Sequence, residues 1–349
     1  MSESITHTEP GAQRDSQRGT KRNTPRALIR AMPWVFVLIW STGFVVARFG
    51  MPHAPPFKFL VLRFALSLLC FGVWVVLARV PWPRERVQWL HLAVVGTLMQ
   101  AGYLGGVWAA VKLGIGAGTV ALLVGLQPVL TALWLSLTQR EGESAVGSGV
   151  GSGVGSGEEG ARERTREGGS RGERGVSLAQ WVGLALGLGG LTLVVWHKLG
   201  GGELHPANLA LAIVALLSIT VGTLYQKRFV APCDVRSASA VQLAAALVVS
   251  LPIALFEHEA VVWHPEMIGA LAWSVLVLTL GGNSLLYLLI QRGAATEVTS
   301  LMYLVPPCTA VLAWLLFGEV FTWSMAVGML LTASGVALVV QRAMRKPPA

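Results

Sequence analysis

Ten times along the chain, a run of roughly twenty residues passes with almost no charge, at about 33–50, 57–79, 89–111, 115–138, 178–197, 206–227, 236–256, 267–290, 294–317 and 323–341. A helix of about 20 apolar residues spans the ~30 Å hydrocarbon layer of a bilayer. Only helices fit these runs, because the alternating pattern of a membrane strand is absent and no backbone group can stay unpaired in lipid. The expectation is an all-α integral membrane protein with ten transmembrane helices. Composition agrees: 53% of the 349 residues are hydrophobic and 13% are charged, where a soluble domain carries about 25% charged residues. That excludes an ordinary soluble enzyme and, for most of the chain, disorder. Cys70, Cys233 and Cys308 lie in or beside apolar runs and form no disulfide framework.

The formal charge of +9 is placed as a membrane protein places it. Residues 1–30 read as a disordered basic tail (Arg14, Arg18, Lys21, Arg22, Arg26, Arg30) without a cleavable signal peptide, so the first span is an uncleaved anchor. Lys and Arg in short loops stay in the cytoplasm. With the tail inside, alternation puts Arg79, Arg84, Arg86, Lys227, Arg228, Arg236, Arg292, Arg342, Arg345 and Lys346 inside too. The loop with Glu257, Glu259 and Glu266 falls outside. Lys58 and Lys112 run against the rule, and as span-end residues they are expected to snorkel. The location implied is the cytoplasmic (inner) membrane, multi-pass, with both termini cytoplasmic. The partners expected are a small-molecule substrate, membrane lipids and a second copy in a homodimer, with no nucleic acid.

Sliding the chain along itself by 179 residues aligns Gly43 with Gly222, Arg48 with Lys227, Arg63 with Gln242, Gly102 with Gly281 and Pro128 with Pro307. Later the offset falls to 145, where Gly190 meets Gly335. The first half therefore carries extra residues between its fourth and fifth helices, and a Gly/Ser/Val tract followed by an Arg/Glu tract at 142–175 supplies them as a flexible linker. The organisation expected is a first repeat at 31–141 (helices 1–4), the linker, a fifth helix at 176–198, a second repeat at 204–342 and a tail at 343–349. Five helices is an odd number, so the second copy enters the membrane from the opposite side. Two inverted five-helix repeats follow, an arrangement that recurs in secondary transporters.

Ile39-Trp40-Ser41-Thr42-Gly43-Phe44, Pro56 through Arg63-Phe64, Ala117 through Gln127-Pro128, and Val298 through Pro307 with Leu316-Phe317-Gly318-Glu319 are similar to the EamA-type branch of the drug/metabolite transporter superfamily. The glycine-rich helices at 181–195 and 326–340 resemble that family as well. The chain departs from it where Gly318-Glu319 of the second half meets Gln139-Arg140-Glu141 in the first. The resemblance implies ten helices around a central cavity and transport of small metabolites, commonly export.

Polar groups within spans mark the candidate site, since they need a cavity or a partner. Arg63, inside the second span, suits a substrate carboxylate, and Gln242 is its repeat mate. Trp40, Ser41 and Thr42 make a polar-aromatic patch in the first span. Gln100 and Tyr103 share a helix face at spacing i, i+3, as do Ser284 and Tyr287, with Asn283 adjacent. Rings with amide and hydroxyl groups suit an amphipathic small molecule. Pro128, Pro306 and Pro307 are hinge candidates, because proline removes a backbone donor and crowds the preceding turn. Glu297 and Glu319 are candidates for proton coupling. Small-residue spacings at Gly102/Gly106, Gly114/Gly118 and Gly183/Gly187 read as helix packing. A phosphate-binding loop is absent, the histidines lack metal-ligand spacing, and no cofactor or metal is expected. The reading is a non-enzymatic secondary transporter exporting amino acids or related compounds by alternating access. A membrane-embedded enzyme acting on a lipid or isoprenoid is the alternative, and the intramembrane stock of His, Asp and Glu is poor for it.

Overall fold

The computed structural model describes residues 26–131, 134, parts of 181–196, 204–291, 302–319 and 322–345. Among these residues the chain is helical and no strand occurs. The helices are α1 (Arg26–Gly50), α2 (Pro56–Leu77), α3 (Arg86–Lys112), α4 (Ala117–Thr131), α5 (Pro206–Phe229), α6 (Val235–Phe256), α7, α8 (Val305–Phe317) and α9 (Trp323–Arg345). α7 runs from Pro265–Ala272 through Trp273–Gly282 into Asn283–Gln291. Six of them are long and apolar enough to cross a bilayer, and α4, α8 and the 323–334 part of α9 are shorter apolar helices. The expected fifth helix, the 142–175 linker, both tails and Glu297 lie largely or wholly outside the described residues.

Helix starts follow local chemistry. α2, α5 and α7 open on proline, which has no N–H to leave unpaired there. α5 also carries a reciprocal cap, with Asn208 N donating to His205 Nδ1 (3.5 Å) and His205 N to Asn208 Oδ1 (3.0 Å). Helix boundaries recur at the spacing found in the sequence: moved by 179 residues, 56–77 becomes 235–256 and 86–112 becomes 265–291. Even the backbone winding recurs. The middle of α3, Thr97–Gly102, and of α7, Trp273–Gly282, is π-helical, and 97–102 moves onto 276–281.

The halves interlock. α2 packs most extensively on α6, α3 on α5 and α6, α4 on α8, and α1 on α8 and the π-helical part of α7. Small residues allow this closeness. A Cβ at Gly96 would overlap the Gln242 backbone on α6, and one at Gly106 would stand 2.8 Å from Leu211 O on α5. Gly102 faces Ser218, and Gly118 faces Ala310 and Met325. Gly114 differs from the packing role expected of it: its φ of 95° turns the chain out of α3, and no other group lies within 4 Å of where its Cβ would be. Gly183 and Gly187 lie outside the described residues.

The outside of this bundle is as apolar as its core. Leu69 is 64% exposed, Val76 72% and Phe256 80%, which is the pattern of a helix whose outer face meets hydrocarbon rather than water. Exposed Trp82, Trp89, Trp263 and Trp323 lie at or beside helix ends, where amphipathic rings favour the lipid–water boundary.

Charge separates between the two ends. At one end Arg79 and Arg84 lie in the loop before α3, Arg86 opens α3, and Lys227 and Arg228 stand in the last turn of α5, while the Gln88 side chain ties α3 to the loop before α6 by donating to Ala231 O (2.8 Å) and accepting from Ala231 N (3.1 Å). At the other end the acidic loop before α7 straps the turn between α1 and α2. Glu257 accepts from Phe57 N (2.9 Å) and Lys58 N (2.8 Å), and Val262 N donates to His53 O (2.8 Å). Lys112 pairs with Glu259 Oε2 at 2.6 Å, and Lys58 Nζ donates to Glu259 O at 2.6 Å. The two lysines expected to snorkel are held by the acidic loop instead.

Candidate functional site

Two adjoining cavities occupy the middle of the bundle and share Trp40, Phe44, Tyr103 and Ile219 as their common wall. The first, about 120 Å³, draws on α1, α2, α3, α5 and α7 and contains Arg63, Gln100, Trp108, Thr279 and Asn283. The second, about 90 Å³, lies between α4 and the start of α8 and contains Gln127, Pro128, Pro306, Pro307 and Thr332. Binding pockets for small molecules measure about 300–1,000 Å³, so each cavity is smaller than that range.

Arg63 dominates the first cavity. It is 8% exposed, its Nη2 donates to Thr279 Oγ1 at 3.3 Å, and its Cζ sits 6.0 Å from the centre of the Trp108 ring. Among the described residues no carboxylate pairs with it. A buried guanidinium without a counter-ion is costly, and it leaves donors for an anion. Both π-helical stretches feed this cavity: Gln100 belongs to the one in α3 and Thr279 to the one in α7. A π turn carries more residues than an α turn and is frequent at functional sites. Here it brings the Thr279 hydroxyl to Arg63, with the same hydroxyl donating to Ser274 O five residues back (2.8 Å).

Trp40, Arg63, Gln100, Tyr103 and Asn283 are thus brought together. Ser41 is not. It is fully buried against α8, donating to Val37 O (2.8 Å) and Val305 O (3.4 Å), while Thr309 Oγ1 donates to Ser41 O (3.2 Å). Thr42 turns to α7, where its hydroxyl accepts from Trp273 Nε1 at 2.9 Å. Gln242 does not line the cavity; its backbone is the surface that meets Gly96. The Ser284 hydroxyl donates to Leu280 O within its own helix. The side chain of Tyr287 lies outside the described residues.

The prolines line the second cavity. α4 is interrupted at 125–126, just before Pro128, and the Gln127 side chain donates to Thr223 Oγ1 at 2.9 Å. Pro306 and Pro307 stand in the first turn of α8, after a 3₁₀ turn at Met302–Leu304, rather than midway along a continuous helix. That is where proline is best tolerated. The two breaks touch, since a Cβ at Gly125 would stand 3.0 Å from Pro306 Cγ. Glu319 Oε1 accepts from Ala117 N at 3.0 Å and so caps α4.

Phe44 and Thr279 also line the site, although neither is a candidate on sequence grounds. For Thr279 a signal does exist, because the offset of 179 carries Gln100 onto it.

The profile of the EamA-like transporter family matches residues 32–142 and again 207–341. This chain belongs to the EamA-like transporter family. Among similar proteins is an uncharacterized transporter, YvbV, of Bacillus subtilis strain 168, 24% identical over 87% of this chain and 88% of its own length. The uncharacterized inner membrane transporter YedA of Escherichia coli K12 is 25% identical, with 81% of this chain and 80% of YedA covered. An uncharacterized transporter of Archaeoglobus fulgidus is 23% identical over 86% and 93%. A chain of known crystal structure matches this EamA-family fold with a TM-score of 0.56 at 18% identity, covering 90% of this chain and 98% of that one.

Proposed function

We propose that this EamA-family protein is a secondary transporter of ten transmembrane helices in two inverted five-helix repeats, which exports amino acids or related small carboxylates across the cytoplasmic membrane by alternating access. The observation that carries the reading is Arg63: a buried guanidinium on a cavity wall, with no carboxylate beside it among the described residues. A substrate carboxylate supplies the missing charge. Gln100, Tyr103 and Asn283 offer amide and hydroxyl groups to the substrate's polar atoms, and Trp40, Phe44 and Trp108 offer ring faces to its apolar part. Alternation is supported by the recurring helix boundaries and by the doubled family match. The basic end of the bundle is assigned to the cytoplasm with both termini, the acidic end to the far side, and lipid chains cover the exposed faces of α2 and α6.

In this mechanism the shared wall of Trp40, Phe44 and Tyr103 separates the two cavities until the helices part. Movement centres on the contact between the α4 break and the Pro306–Pro307 turn. If Glu319 couples protons, protonation weakens its hold on Ala117 N and frees the start of α4 on that side; Glu297 is the second coupling candidate.

The test is export by cells and counterflow into vesicles containing the purified protein, with Arg63→Ala and Arg63→Lys made beside the parent at equal level. Loss of a charge-assisted contact of about 1.5–3 kcal/mol lowers transport about tenfold or more for Arg63→Ala, and Arg63→Lys keeps part of it. Equal transport by Arg63→Ala refutes the assignment.

A further inference from the structure

Three metal-ligating side chains from two distant segments meet at the acidic end of the bundle. His53 lies in the turn between α1 and α2, and His264 and Glu266 flank Pro265, the first residue of α7. Their ligand atoms all lie within 4.8 Å of one another. His53 Nε2 is 2.9 Å from Glu266 Oε2, and His264 Nδ1 is 3.9 Å from the same oxygen. We propose that His53, His264 and Glu266 form a binding site for a divalent transition-metal ion of the zinc type, which pins the loop before α7 to the turn between α1 and α2.

The distances suit such an ion. Metal–ligand bonds of about 2.0–2.1 Å in a tetrahedron hold the ligand atoms roughly 3.3 Å apart, between the two separations observed. Reaching it requires the His264 ring to turn out of its stack on His53, with Nδ1 releasing the Glu266 N–H that it accepts at 3.4 Å. The frame beneath is already fastened: Val262 N donates to His53 O and His264 N donates to Val262 O, both at 2.8 Å. Both histidines thus hang from one hydrogen-bonded strap, and their rings stack with centres 4.6 Å apart and planes 10° from parallel.

The donor set names the class. Two imidazole nitrogens and one carboxylate oxygen suit Zn²⁺, Co²⁺, Ni²⁺ or Cu²⁺, whereas Mg²⁺ and Ca²⁺ take oxygen cages. Three protein ligands leave a fourth position for water, and the half-exposed His264 and Glu266 leave it open to solvent. Glu266 also lines a surface recess of about 530 Å³ with Arg48 and Lys112. An ion here adds positive charge to the mouth of that recess and ties α7 to the α1–α2 turn.

The experiment uses the full-length protein in nanodiscs without a polyhistidine tag. Zn²⁺ is titrated calorimetrically in millimolar Mg²⁺, and Co²⁺ is followed by its visible absorption. One saturable site is expected, with the absorption bands of a four-coordinate Co²⁺ that Zn²⁺ abolishes. Affinity falls as the pH is lowered, because protons compete with the metal for the imidazole nitrogens. His264→Ala and Glu266→Gln each weaken binding at least tenfold. His258→Ala, in the same loop but outside the cluster, binds as the parent does. Tryptophan fluorescence during thermal unfolding without metal shows that the variants are folded, and the two ligand substitutions serve as independent readings should one misfold. Absence of saturable binding, parent-like binding by both ligand variants, or equal loss with His258→Ala overturns the proposal.

Discussion

Glu257 is the most economical place to test whether the acidic loop holds the bundle together by geometry or by charge alone. Pro56 has no N–H, so the first free donors of α2 are Phe57 N and Lys58 N, and one carboxylate takes both at 2.9 and 2.8 Å. α2 has no side-chain cap of its own. Losing a cap costs about 0.5–2 kcal/mol, and hydrogen bonds to charged groups about 1.5–3 kcal/mol each. Water can reach the half-exposed site and recovers part of that. Glu257→Ala is therefore expected to destabilise by about 2–3 kcal/mol. Glu257→Gln keeps one acceptor oxygen but loses the charge at a helix N-terminus, and should cost about half as much. Glu259→Gln is the control: its ion pair with Lys112 has a carboxylate that is 65% exposed, and such a pair contributes about 0–1 kcal/mol. Unfolding of the purified protein in mixed micelles, followed through its 13 tryptophans, measures all three. The expected order of stability is parent, Glu259→Gln, Glu257→Gln, Glu257→Ala. An Ala variant within about 0.5 kcal/mol of the parent refutes the reasoning, and so does a Glu259→Gln variant that costs as much as Glu257→Ala.

Gly96→Ala should destabilise by about 3 kcal/mol or more, because its methyl group would overlap the α6 backbone at Gln242, which no rotamer change relieves; the same unfolding assay reads it. Thr279→Val removes the described hydrogen-bond partner of Arg63 and should raise the transport KM about threefold to tenfold with the maximal rate nearly kept, from a bond of about 0.5–1.5 kcal/mol. Asp234 caps α6, and hydrogen bonding from the Arg236 side chain holds its carboxyl below the usual carboxylate range. A depressed folded-state value stabilises above the unfolded pKa of about 3.9 and is lost as pH falls through the folded one. The parent should accordingly lose stability on acidification below about pH 4 more steeply than Asp234→Asn, as an unfolding series against pH will show.

Much of this architecture is legible in the amino-acid sequence. Twenty-residue apolar runs have one solution in a bilayer, so the long helices fall within a few residues of the runs themselves. Arg63 stands out as a charge deep in an apolar run, and the i, i+3 pair Gln100 and Tyr103 does share a cavity. Trp40, Ser41 and Thr42 form a group only by adjacency, and successive residues on a helix point about 100° apart. Only Trp40 reaches the cavity, while Ser41 and Thr42 serve contacts with α8 and α7. Lys58 and Lys112 break the charge rule only because their partner Glu259 lies far along the chain. The π-helical stretches have no letter code: whether a turn holds an extra residue depends on what packs beside it. His53 and Glu266, 213 residues apart, cannot be joined by spacing at all.

The acidic strap has a consequence for how the chain is made. Glu259 follows Lys58 by 201 residues and Lys112 by 147, and Glu257 follows the α2 amide it caps by 199. At a synthesis rate of about 5–20 residues per second, α2 emerges roughly 10–40 s before anything can cap it or hold its lysine. During that interval the newborn first half stands in the membrane with the start of α2 unfinished. A ribosome pause or a truncation before residue 257 leaves it so, a half-built bundle open to quality-control proteases. Supplying the second half as a separate chain should close the same strap and lengthen the lifetime of the first.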